Sequence, residues 1–235
     1  MDTEKPTYPM RINKYLALQK YCTRREADKL IEKGLVAING KPAVLGDKVN
    51  EGDKVDLKWR QTKWRYFAYY KPRGIITHSA QEGEEEIKEI LPIEGVFPLG
   101  RLDKDSYGLI ILTDDGRITD ALLNPERAHE KEYEVMTTEP LPSNFKRKME
   151  QGIDIGGYVT KPCTVEILGE RKFRITITEG KKHQIRRMCG HFGMSAVSLQ
   201  RVRIGNVRLG ELSAGEYREI IGNERATFLK GVGLA

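Results

Sequence analysis

Residues 159–167 and 172–178 are both rich in β-branched and aromatic side chains, and only four residues separate them. A gap that short holds a turn but not the dozen or more residues of a parallel crossover, so the two runs must pair antiparallel. An all-parallel sheet wrapped by helices is thereby excluded. Further strand-like runs stand at 65–71, 108–113 and 132–137. Between them, 116–123, 144–151, 182–191 and 223–230 carry helical patterns, with Ser143 placed to cap the second. Strands and helices in this order predict an α+β chain.

The first 60 residues read as a separate unit. Ile12, Tyr15, Leu16 and Leu18 recur at near-helical spacing, and "TRREADKLIEKG" opens with a capping box, Thr23 followed three residues later by Glu26. Ala27, Leu30 and Ile31 form its apolar stripe. Asn39-Gly40 then predicts a tight turn between two short strands. A polar stretch follows, giving expected boundaries of 1–60 for a small domain, 61–64 for a linker and 65–235 for a larger one.

Charge placement narrows the function. The chain carries a formal net charge of +6, and residues 1–62 hold 13 Lys and Arg against 9 Asp and Glu. Residues 180–209 contain seven basic side chains and no acidic one. Two separate basic regions predict a polyanion held at two places. Nothing approaches the roughly 18 apolar residues of a membrane span, and the N-terminus lacks the apolar core of a secretory signal. Three widely spaced cysteines argue against a disulfide framework, so the expected setting is the cytoplasm.

The richest segment is "GRLDKDSYGLIILTDDG", 100–116. Asp103, Asp105, Gly108 and Asp114 imitate a calcium loop, but Tyr107 fills a ligand position and the flanks do not read as helices. Asp103 and Asp105 would share a face if extended, as a glycoside hydrolase's paired carboxylates do, yet such an enzyme typically has several aromatic platforms and this motif has one tyrosine. The third reading joins Arg101 and Asp103 at the entrance of a buried strand, a cation and a carboxylate placed for a nucleotide. His183, Cys189 and His191 lack a regular zinc spacing or a fourth ligand, and a helical cysteine is more often a small buried hydrophobe.

This motif closely resembles the central motif of the RsuA/RluB/RluE/RluF family of pseudouridine synthases. "HEKEYEV" (129–135) and "KKHQIRRMCGHFGM" (181–194) match further family segments in the family's order. "MRINKYLALQKYCTRREADKLIEKGLVAINGKPA" resembles an S4 RNA-binding module. The likeness runs from about Arg11 to about Ile221, and "HEKEY" and "QIRRMCGHFG" are most similar to the RluF branch, which acts on 23S ribosomal RNA. Tyr107 stands where a smaller or polar residue is usual, and Thr23 where serine is common; the latter keeps the capping hydroxyl.

The resemblance implies an S4-type module ahead of a synthase domain whose mixed, mainly antiparallel sheet is flanked by helices. It implies conversion of uridine to pseudouridine in ribosomal RNA, without cofactor or metal, by a monomer. Asp103 is implied as the nucleophile, with Arg186 beside it as cation partner. Ile185 is implied to pack on the uracil, Tyr133 to stack on it and to help remove the C5 proton as a catalytic residue, Arg101 to fill the gap left by the flipped base, and Arg187, Arg24 and Arg25 to hold phosphates. A non-catalytic RNA-binding or ribosome-assembly protein is the alternative on the residues alone.

Overall fold

The computed structural model describes residues 7–19, 21–59, 63–78, 81, 84–91 and 93–234. The chain divides into two compact units, Met1–Trp64 and Arg65–Ala235. Of the expected linker, 61 and 62 lie outside the described residues, while the Trp64 ring sits 6.0 Å from that of Trp59 within the first unit.

In the first unit β1 (Met10–Arg11) leads into α1 (Ile12–Leu18) and α2 (Arg24–Glu32). The short strands β2 (Val36–Ile38), β3 (Lys41–Pro42), β4 (Lys48–Val49) and β5 (Val55–Leu57) follow. The capping box forms as expected: Thr23 Oγ1 accepts from the Glu26 amide at 3.2 Å, and Glu26 Oε2 accepts from the Thr23 amide at 2.8 Å. Such a box satisfies two amides that would otherwise be orphaned at the helix start. Ala27, Leu30 and Ile31 then bury against Ile12 and Leu16. Asn39-Gly40 turns the chain between β2 and β3.

The second unit is built on one nine-stranded sheet. Its elements are β6 (Tyr66–Lys71), α3 (Ile87–Ile90), β7 (Phe97–Leu99), β8 (Tyr107–Thr113), α4 (Ile118–Leu123), β9 (Lys131–Thr137) and α5 (Phe145–Gln151). They continue with β10 (Thr164–Gly169), β11 (Lys172–Ile177), α6 (Gln184–Gly190), β12 (Ala196–Ile204), β13 (Val207–Arg208), β14 (Tyr217–Glu219) and α7 (Gly222–Gly231). The strand order is β10-β11-β9-β12-β8-β6-β14, with β7 on β8 and β13 on β12. Only the β12–β8 pair among these is parallel. The mixed, mainly antiparallel α+β architecture is therefore the one expected.

Several boundaries differ from the sequence reading, for physical reasons. The run 159–167 yields a strand only from Thr164, because Pro162 has no amide to donate to a ladder. Val159 instead makes an isolated bridge to Asp154. The α5 cap is Asn144 rather than Ser143, and its side chain makes no capping bond. The nine-residue β12, central to the sheet, has no counterpart in the reading. Its arginines read as basic stripe, and Arg201 occupies a buried position where an apolar residue would have marked a strand.

Phe145 and Met149 of α5, with Met188 and Cys189 of α6, cover one face of the sheet and bury against Val135, Phe173 and Ile175. Burial pushes the Cys189 thiol up to about 12, as suits a packing residue rather than a ligand. On the other face of these strands, Glu132, Glu134 and Glu166 pair with Lys172, Arg174 and Arg203 across neighbouring strands. Two of the four aspartates in the segment 100–116 are structural. Asp114 accepts from the Arg65 amide and guanidinium, and buried Asp115 binds the Tyr66 hydroxyl and the Arg117 guanidinium. With 107–113 extended and Asp114 so engaged, the segment is not a calcium loop.

Candidate active site

β8 changes partner along one edge. β7 pairs with its C-terminal half (Leu99 opposite Ile111), and β12 with its start (Gln200 opposite Tyr107). The connection 100–106 must leave the sheet where β12 enters, and this places Asp103 over the sheet. It is a turn rather than an extended segment, closed by the Ser106 amide on the Asp103 carbonyl at 3.0 Å. Asp103 and Asp105 are therefore not an alternating pair on one face.

Every carbonyl from 101 to 105 has a donor. Arg201 Nη1 reaches the Arg101 carbonyl at 3.3 Å, Thr77 Oγ1 the Leu102 carbonyl at 2.8 Å, and the Gly74 amide the Lys104 carbonyl at 2.8 Å. Arg186 Nη2 reaches the Asp105 carbonyl at 3.2 Å. Thr77 Oγ1 also accepts from the Leu102 amide at 3.1 Å. The hydroxyl of one buried threonine thus fixes both sides of the residue preceding Asp103. Such preorganisation matters because a misplacement of about 1 Å can cost on the order of 100-fold in rate. Thr77→Val is therefore expected to slow single-turnover chemistry by about 10- to 100-fold with little change in RNA affinity, and Thr77→Ser to recover most of it. Wild-type rates in Thr77→Val would mean that the other four bonds suffice.

The cleft beside the loop has a volume of about 610 Å³, within the range of roughly 300–1,000 Å³ usual for ligand pockets. Asp103, Arg101, Tyr133 and Ile185 all line it. Asp103 keeps 39% of its side chain exposed, while Tyr133 and Ile185 are buried among core residues with one side toward the cleft. Tyr133 thus combines core packing with a cleft wall.

Arg186 is placed differently from expectation. Its guanidinium is spent on the carbonyls of Ala196 (2.6 Å) and Asp105 (3.2 Å), and it makes no ion pair with Asp103. The reason is its position on α6: the side chain runs behind the turn instead of into the cleft. Arg187 is exposed, its guanidinium near Gly156, and does not line the cleft. In the first unit, Arg24 and Arg25 are exposed in the first turn of α2.

Groups that the sequence reading missed or set aside fill the gap. His183 Nε2 stands 3.7 Å from Asp103 Oδ1, held there by a left-handed backbone (φ 53°) just before α6. In register across the sheet lie Lys71, Gly108, Arg201, Tyr133 and Ile175. Lys71 is fully buried, with Nζ on the carbonyls of Pro72 and Ile75. Burial and then Arg201 push its pKa down to about 8, while Asp103 and Asp105 oppose that shift. A buried lysine from β6 thus joins Arg201 and Arg186 among the cations close to the Asp103 turn. A lysine ending the aromatic run "YFAYYK" was the available signal.

A clamped carboxylate, a tyrosine-walled cleft and surrounding cations make a site able to receive a planar, anionic ligand, as the resemblance to pseudouridine synthases implies. The profile of RNA pseudouridylate synthases matches residues 65–191, and that of the S4 domain residues 10–55. The chain belongs to the RNA pseudouridine synthase family.

Among its relatives is the dual-specificity RNA pseudouridine synthase RluF of Escherichia coli K12, 40% identical over 96% of this chain and 80% of that protein. The ribosomal small subunit pseudouridine synthase A of Pasteurella multocida is 34% identical over 94% of this chain and all of the other. A crystal structure of a pseudouridylate synthase, 30% identical, superposes with a TM-score of 0.68 over 95% of this chain and 99% of that one.

Proposed function

We propose that this chain isomerises uridine in ribosomal RNA, and in the large-subunit RNA rather than the small. The observation that carries the catalytic part is the Asp103 carboxylate, held on a turn with every carbonyl bonded, at the edge of a cleft walled by Tyr133 and Ile185. The large-subunit assignment is supported by the RluF-like segments "HEKEY" and "QIRRMCGHFG".

The reaction breaks the N1–C1′ bond and joins C1′ to C5 of the same uracil. One proton leaves C5 and one is gained at N1, so nothing is oxidised and no group is carried away. Asp103 is assigned as nucleophile, Tyr133 as the stacking partner of the target base and Ile185 as its packing surface. Arg101 is exposed at the rim, where it can occupy the gap left by the flipped nucleotide and offset an unstacking cost of a few kcal/mol. Arg186 is assigned as a positioning residue for the Asp105 side of the turn. Arg187, Arg24 and Arg25 are assigned to phosphates, the last two assisted by the start of α2.

Pseudouridine mapping of both ribosomal RNAs, after incubation with the purified protein and in cells lacking it, tests this reading. A site present only with the protein, in large-subunit RNA, is the expected result. A site confined to small-subunit RNA would overturn the substrate, and no site in either would overturn the enzyme.

A further inference from the structure

The strands β9 and β12 treat their cations differently on their two faces. On one face Arg203 pairs with Glu130 and Glu132, at 2.9 and 3.2 Å. On the other face, the one carrying Tyr133, stand Lys131 and Arg201, and among the described residues neither has a carboxylate within the 4.0 Å of an ion pair. Arg201 is only 3% exposed, and its Nη2 has no hydrogen-bond partner. Lys131 Nζ has only a long contact, 3.4 Å, to the His129 carbonyl. Its pKa is lowered, first by burial and then by Arg201.

Both line a second cavity of about 260 Å³, separate from the first but sharing Arg101 and Tyr133 with it as common wall. Leu122 and Leu123 give it an apolar side. The carboxylate on its wall, Glu179, is already committed to the Tyr158 hydroxyl (2.5 Å), the Lys161 amide (2.9 Å) and Gln184 Nε2 (2.9 Å). Two desolvated like charges facing one cavity are unfavourable unless an anion joins them. The cavity, just below the roughly 300–1,000 Å³ of a drug-sized ligand pocket, has the size for a single nucleotide.

We propose that this cavity is a subsite for a nucleotide of the RNA next to the target uridine, its phosphodiester between Lys131 and Arg201 and its base against Leu122 and Leu123. The subsite rests on the reading of the chain as an RNA pseudouridine synthase. It lies across Tyr133 from the cleft, so the same tyrosine separates the target nucleotide from its neighbour.

An unpaired cation that serves the RNA should burden the free protein. Lys131→Met removes the repulsion with Arg201 and keeps the apolar stem, so the free protein should melt at the same temperature or higher. RNA affinity should fall about tenfold near 0.1 M salt, and the plot of log affinity against log salt should lose about one contact's worth of slope. The probe is a ribosomal RNA fragment containing the mapped uridine, in parent form and in a set with one phosphate at a time replaced by a neutral methylphosphonate. One member next to the target should bind the wild type as weakly as the parent binds Lys131→Met, and that variant should not distinguish the two RNAs. The subsite is overturned if the wild type binds every neutralised RNA like the parent, or if Lys131→Met keeps the wild-type salt slope. Pseudouridine formation by the wild type on the parent RNA is scored in the same samples, so failure of the enzyme reading is seen separately.

Discussion

Asp103→Asn is expected to lower pseudouridine formation by roughly three orders of magnitude or more, the scale on which removal of a nucleophile acts. The amide nearly matches the carboxylate in shape, and the turn around it is held by main-chain bonds that the substitution leaves alone. Folding should therefore survive. RNA affinity should stay level or rise slightly, because phosphate contacts dominate it and a negative charge has left the groove. Single-turnover assays at saturating enzyme, with affinity measured on the same RNA, separate the two effects. Activity near that of the wild type would remove Asp103 from the chemistry.

The electrostatic setting gives this substitution a second consequence. Lys71 is buried beside another buried cation, Arg201, and two carboxylates, Asp103 and Asp105, favour its charged form. Neutralising Asp103 removes one of them, so the Lys71 pKa should move further down. The Asp103 and Asp105 carboxylates thus support the protonated form of Lys71 against the cost of its burial. Arg186, expected as the cation beside Asp103, instead braces the far side of the turn through the carbonyls of Ala196 and Asp105.

How much could be read without coordinates follows from the range of the interactions involved. Local signals came through: the Thr23–Glu26 box needs only three residues' spacing, and the strand 107–113 advertises itself by its apolar run. Asp103, Tyr133, Arg101 and Ile185 were reached through motifs and do meet in one cleft. What did not come through depends on pairing between distant segments. Thr77 acts across 25 residues and Arg201 across 100, and neither has a local pattern that marks it. β12 was hidden for the same reason, since an arginine that read as part of a polyanion-binding stripe is buried by strands 68 and 92 residues away. Arg186 followed from a motif, and a motif carries no side-chain direction: the guanidinium lies on the carbonyls of Ala196 and Asp105.

Gly108→Ala is expected to be a severely damaging single methyl in the second unit. The strand-like run 108–113 begins at this glycine, and in the structure Gly108 lies inside β8 with φ at +98°. It sits between Lys71 of β6 and Arg201 of β12, where β8 meets its parallel partner. A Cβ there would stand 2.4 Å from the Arg201 carbonyl oxygen and 3.0 Å from its amide nitrogen. Both are backbone atoms, so no rotamer change can relieve the contact. β12 would have to move, and with it the Arg201 bond to the Arg101 carbonyl and the Tyr133 register. Backbone strain alone costs about 1–2 kcal/mol, and displacing a central strand adds several more, a large part of the 5–15 kcal/mol that holds a typical domain together. Gly157→Ala supplies the control, since Gly157 also has a positive φ, +79°, but nothing within 4 Å of the added methyl. Denaturant or thermal melts of the two variants should therefore differ by several kcal/mol, with Gly108→Ala poorly soluble or unfolded. Equal stabilities would mean that β12 yields easily, and that the turn carrying Asp103 is not held by the close crossing of these strands.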